Sequence, residues 1–144
     1  AANLILHYET KRVFTWERAN SFDANRQLVQ RMFAIADSIT YQDYVGAQSE
    51  LQRARESHTR FMANHDLDAL FTPSAPGEAP LLRTTGDSVF NRVWTSLGVP
   101  AIHLPVLNGP NGLPVGVQLV GQLWSDKRLL AAASFAENSL TGRN

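Results

Sequence analysis

The sequence has 144 residues, of which 44% are hydrophobic and 18% charged, with thirteen basic residues balanced by thirteen acidic ones. This is a globular composition at a length natural for one domain, residues 1–144, and it excludes a disordered chain and a basic nucleic-acid footprint. With no cysteine, a disulfide framework and a thiolate zinc site are excluded, and no apolar run approaches the ~18–20 residues that span a bilayer.

All seven prolines follow residue 66, so residues 1–66 are expected to be helical and residues 67–144 to alternate strands, loops and helices. A first helix is predicted over Ala2–Ala19, with Leu4, Tyr8 and Lys11 on one face. A second stretch, capped by Ser21 or Asp23, repeats Leu28, Met32, Ile35 and Ile39 at helical spacing. The third helix is the longest. Thr40 and Asp43 form a near capping box at its start, and Tyr44, Ala47, Leu51, Ala54, His58, Phe61 and Met62 mark its apolar stripe.

Asp68–Pro73 is a short apolar run closed by proline and reads as a buried strand. Ser74–Thr85 is a long irregular loop, of the kind that is often functional in compact domains. A helix is predicted over Val89–Leu97, capped by Asp87 or Ser88 and ended by Gly98. Ala101–Val106 and Val115–Gly121 are further strands, joined through a turn-rich tip as a hairpin. The second of these is apolar on both parities, which marks a central strand covered on both faces. Ser125 or Asp126 caps a last helix carrying Leu129, Leu130, Ala133, Phe135, Ala136 and Leu140.

Four segments, in this order and spacing, resemble the C-terminal part of the amidase-signature hydrolases. They are Asp68–Pro76, Phe90–Ala101, Gly112–Gly121, and Asp126–Leu130 with the helix that follows. Together they cover about half the chain. The resemblance implies an α/β fold: a mixed sheet of about three strands packed by helices, with a helical N-terminal half, as part of a larger amidase fold. It implies a parent enzyme that hydrolyses a non-peptide carbon–nitrogen bond of an amide through an acyl-enzyme.

Such enzymes use a Lys and two serines, from a Gly/Ser-rich segment that the resemblance places upstream of Ala1. A weak hydroxyl nucleophile needs an adjacent base, and the developing oxyanion needs preorganised donors. This chain has no Ser-Ser pair and only two lysines, Lys11 and Lys127. Both are expected to be solvated, whereas a base lysine needs desolvation to lower its pKa. The chain is therefore expected to hold no catalytic residue and to supply sheet and substrate wall. The alternative is a non-catalytic binding or assembly module derived from an amidase. The start at Ala1 reads as that of a piece of a longer or processed protein.

The loop-to-helix segment Thr84–Trp94 is the candidate substrate wall. Asp87 and Asn91 supply polar groups for orientation and Trp94 supplies apolar area. Packing is the competing role of Phe90 and Trp94, which stand one helical turn apart. His103, alone in an apolar strand, is expected to be buried and hydrogen-bonded, and it departs from the small residue that the family often has there. His58, His65, Asp66 and Asp68 are a loose group with too little support for a metal site. No metal or organic cofactor is implied. The expected partners are a small-molecule amide substrate and the N-terminal part of the same amidase, with a homo-oligomer as a further candidate state. Nucleic acid and membrane are not expected. The cysteine-free composition fits a cytoplasmic location.

Overall fold

The computed structural model describes residues 1–21 and 27–142, which form two compact units, Ala1–Ala54 and Arg55–Asn144. The expected cap Asp23 lies outside the described residues.

The first unit is helical. It contains α1 (Ala2–Val13), α2 (Thr15–Ser21), α3 (Gln27–Ser38) and the first part of α4 (Tyr41–Asn64). The single first helix expected over Ala2–Ala19 is two helices. Phe14 leaves helical geometry at φ −96°, ψ 29°, and the Thr15 hydroxyl donates back to the carbonyls of Lys11 and Arg12. Tyr8, Phe33, Ala36 and Ala47 are buried in this unit, and the Tyr8 ring stacks on Tyr44 with centroids 4.3 Å apart.

Lys11, expected to be solvated, instead donates to the Ala36 and Ile39 carbonyls at the end of α3, each at 3.1 Å. A cation there satisfies carbonyls that the helix itself leaves free and favours the negative end of its dipole. The start of α4 matches the expected capping box. The Asp43 amide donates to the Thr40 hydroxyl, and the Thr40 hydroxyl and amide both donate to the Asp43 carboxylate. The Thr40 hydroxyl and, after it, the Thr40 amide hold that carboxyl below its ordinary pKa.

The second unit is built on a three-stranded sheet of β1 (Leu70–Pro73), β2 (Ala101–Asn108) and β3 (Pro114–Val120), in the order β1-β3-β2. The strand count and the central place of β3 match the sequence expectation. Both pairings are antiparallel, where a mixed sheet is expected. β2 and β3 form a hairpin, and β1 enters at the other edge of β3 in the opposite sense. Pro105 is tolerated because β2 is an edge strand whose register shifts between Leu104 and Leu107.

Leu104 and Leu119 pack with Leu129 and Ala133 of α6 (Asp126–Thr141) to form the core of this unit, and Ile102, Val106 and Val117 flank it. Successive strand residues face opposite sides. Leu119 and Val120 are both buried, at 5% and 0% exposure, so β3 is covered on both faces at its end. Ser125 is the N-cap residue of α6, but its hydroxyl donates to the Gln122 carbonyl and not to the helix.

The remaining helix, α5, runs from Arg92 to Leu97, three residues later than expected. Asp87 accepts the Val89 amide at 3.0 Å, and Ser88 closes a turn by accepting from Asn91 and Arg92. Asp87 thus caps a turn and Asn91 takes the helix N-cap position. Gly98 ends α5 at φ 69° in the left-handed region, as a glycine after a helix does. Arg55 donates to the Leu97 and Ser96 carbonyls at that end.

Candidate functional site

The face of the sheet away from α6 carries a connected polar cluster. Ser74 directly follows β1, and its hydroxyl lies 2.8 Å from the Gly116 carbonyl of β3. His103 stands between Ile102 and Leu104, which pack on the α6 side. Its ring therefore leaves β2 on the opposite face. Nδ1 reaches the Ser74 hydroxyl at 2.8 Å. Gly116 permits this reach, because a Cβ there would overlap the Leu104 carbonyl and the His103 ring. A glycine within a strand often marks such a close approach.

Asn91 joins the cluster by donating from Nδ2 to the Ser74 carbonyl at 3.0 Å. Gln118, buried at 4% exposure, donates to the carbonyls of Pro73 at 3.0 Å and Phe90 at 2.9 Å. Both ends of the irregular segment 74–91 are thereby tied to β3 or to each other. The middle is tied as well. The half-buried Glu78 accepts from the Asn111 amide at 2.8 Å, Asn111 Nδ2 at 2.6 Å and the Leu113 amide at 3.1 Å, which fixes the loop to the β2–β3 tip. Desolvation pushes the Glu78 carboxyl up, but the N–H donors of Asn111 and Leu113 together outweigh it and leave its pKa below the ordinary value.

The hydrogen-bond directions decide what the Ser74–His103 pair can do. A carbonyl only accepts, so the Ser74 proton points to Gly116. His103 Nδ1 must then carry a proton and donate to Ser74 Oγ. A serine nucleophile needs the opposite arrangement, in which its base accepts the hydroxyl proton. In this arrangement Ser74 links β1, β2 and β3, and its hydroxyl proton is directed at Gly116 and away from His103.

Of the sequence-predicted wall residues, Asn91 lies in this cluster. Asp87 is exposed, bonded to its own turn and 3.7 Å from Arg92; an exposed pair of that kind contributes little. Trp94 lies beside His58, ring centroids 6.0 Å apart, and its indole N–H is buried without a hydrogen-bond partner. His103 is hydrogen-bonded as expected, but it is exposed, not buried. Ile102, Leu104 and Val106 occupy the core face, so alternation sends His103 to the other side. The sequence reading missed the roles of Ser74 and Gln118. A glutamine within the apolar run Val115–Val120 was the available signal, because a buried amide demands partners.

His58 is buried and bonds the Gly121 carbonyl at 3.0 Å, while His65 packs against Phe61. Among the described residues no three His, Asp or Glu side chains gather where a metal ion could sit. No helix among them is long and apolar enough to cross a membrane. A groove of about 420 Å³ lies on the α6 side, lined in part by Asp68, Arg128, Leu119 and Phe135, away from the polar cluster.

Residues 5–130 match the Amidase family. A fatty acid amide hydrolase of Arabidopsis thaliana is 31% identical over 118 residues, covering 73% of this chain and 19% of that protein. A chloroplastic/mitochondrial glutamyl-tRNA(Gln) amidotransferase subunit of the same organism is 29% identical across 97% of this chain and 28% of its own length. A crystal structure of an amidase superposes with a TM-score of 0.78 at 25% identity, over 92% of this chain and 33% of that one. The chain thus spans no more than about a third of the length of these relatives. The family match over most of the sequence and the shared fold carry one conclusion: this chain belongs to the amidase family.

Proposed function

We propose that this chain is the C-terminal part of an amide hydrolase that cleaves a non-peptide carbon–nitrogen bond through an acyl-enzyme, and that it supplies sheet and substrate wall while the nucleophile and its base lie elsewhere in the protein. The observation that carries this reading is the family match over residues 5–130, together with relatives named as an amide hydrolase and an amidotransferase subunit. Its second support is the direction of the Ser74–His103 bond, which leaves the one Ser–His pair among the described residues unactivated. The surroundings of the two lysines support the same reading. Lys11 is bonded to main-chain carbonyls and Lys127 is exposed. In this reading Asn91, Asp87 and Trp94 border the acyl pocket, a small-molecule amide is the substrate, and the rest of the same amidase is the partner. The absence of cysteine accords with a cytoplasmic setting.

Hydroxylamine tests the acyl-enzyme. A longer protein containing this sequence, given small, aryl and peptide amides, should release ammonia or amine. With hydroxylamine present it should form the matching hydroxamate, because hydroxylamine intercepts the acyl group. Absence of ammonia and amine release across that panel would favour a non-catalytic module instead.

A further inference from the structure

The bond pattern around Ser74 has a consequence for the outer nitrogen of His103. Neutral imidazole carries one N–H and one acceptor nitrogen. Ser74 Oγ is 2.8 Å from both the Gly116 carbonyl and His103 Nδ1, and it has one proton. Only one assignment makes both contacts hydrogen bonds: the serine proton on the Gly116 side and the histidine proton on Nδ1. Nε2 is then the acceptor. It has no partner among the described residues, and the side chain is exposed. The ring cannot swing freely, because it lies over Gly116 and is held at Nδ1. Asn91, from the opposite end of the segment, fixes the Ser74 main chain beneath it.

We infer that His103 is a substrate-positioning residue whose Nε2 accepts a hydrogen bond from the N–H of the scissile amide. The inference rests on the amide-hydrolase reading and deepens it: Nε2 is a fixed acceptor on a ring held by Ser74, whose carbonyl in turn takes the Asn91 side-chain amide. An acceptor at that place distinguishes an amide from the isosteric ester, which has no N–H to give. Ser74 and Gly116 hold the ring in the tautomer this requires, as the partner of a histidine's other nitrogen generally does.

Two substitutions separate substrate positioning from a structural role. His103→Gln places a carbonyl oxygen near the position of Nε2. His103→Asn places an amide N–H near Nδ1 and nothing near Nε2. In a longer protein containing this sequence, each variant is assayed on a primary amide and on the ester of the same acyl group. His103→Asn should raise KM for the amide about tenfold, the loss of roughly one neutral hydrogen bond, with the ester unchanged. His103→Gln should restore most of the amide KM. In nitrogen-15 spectra of this chain, neutral His103 should carry its proton on Nδ1. Equal losses for amide and ester, full activity of His103→Asn on the amide, or a proton on Nε2 would each overturn the inference while leaving the amide-hydrolase reading intact. A wild-type protein that cleaves neither amide nor ester would overturn both.

Discussion

At the residue scale, Glu78 shows how one carboxylate can organise a loop. Three N–H groups from the β2–β3 tip converge on it, and a carboxylate accepting several N–H bonds favours its charged form. Its folded pKa is therefore depressed below the ordinary value of 4.5. A depressed acid contributes stability that is fully present above its unfolded value and is lost as pH falls through the folded one. The tip should accordingly loosen below about pH 4.5. Asp37 and Asp43 are depressed too, chiefly by hydrogen bonds from Arg18 and Thr40, so a melting temperature would mix all three. Amide exchange at Asn111 and Leu113 isolates the effect. It should quicken on acidification in the native chain, after allowance for intrinsic exchange, and should already be quick at neutral pH in Glu78→Gln. Protection in Glu78→Gln equal to the native chain's would show that the tip holds itself. This latch was not legible in the sequence. Glu78 lies 33 residues from Asn111, and nothing in a proline-rich loop marks which acid folds back. The outward turn of His103 was legible in principle, because Ile102, Leu104 and Val106 set the alternation around it.

At the element scale, α5 and its N-cap residue supply two candidate wall residues with different surroundings. Asn91 is bonded within the polar cluster, whereas Trp94 lies beside His58 with its indole N–H buried and unpaired. An unpaired buried donor costs about 1–3 kcal/mol, a cost that the packing area of the ring or a hydrogen-bonding partner would offset. Truncation discriminates. If Trp94 borders the pocket, Trp94→Ala in the longer protein changes the ranking of kcat/KM across three acyl lengths, since specificity is differential transition-state binding. If it only packs, stability falls by ~3–5 kcal/mol and all substrates suffer alike. Melting curves taken beside the kinetics read both; the expected outcome is a changed ranking, and a large stability loss with the ranking unchanged would remove Trp94 from the wall. Elements with strong local signals, such as α4 with its Thr40–Asp43 box and β3 with its two-sided apolar pattern, were readable from the sequence. The break in the first helix at Phe14 was not legible, because helical spacing continues across it.

At the scale of the whole molecule, the amidase resemblance rested on four ordered segments beyond residue 66, and the family match extends it over residues 5–130. Strand direction was less readable than strand number. Alternation and turn residues reveal a strand and a hairpin, but the sense in which β1 joins β3 is set by long-range pairing. The polar cluster was half readable: Asn91 was singled out, while Ser74 and Gln118 owe their roles to contacts 17 to 45 residues distant. Its bond directions have the Ser74 hydroxyl donating to the Gly116 carbonyl and His103 Nδ1 donating to the Ser74 oxygen. The central claim is that this chain forms wall and not catalytic centre. Its most direct test is amide turnover by residues 1–144 alone beside that of a longer protein containing them, with ammonia release measured on the same amides. The account predicts release from the longer protein and none above the uncatalysed rate from the 144 residues, since removing a catalytic unit costs orders of magnitude. Turnover by the 144 residues that disappears in Ser74→Ala would contradict it.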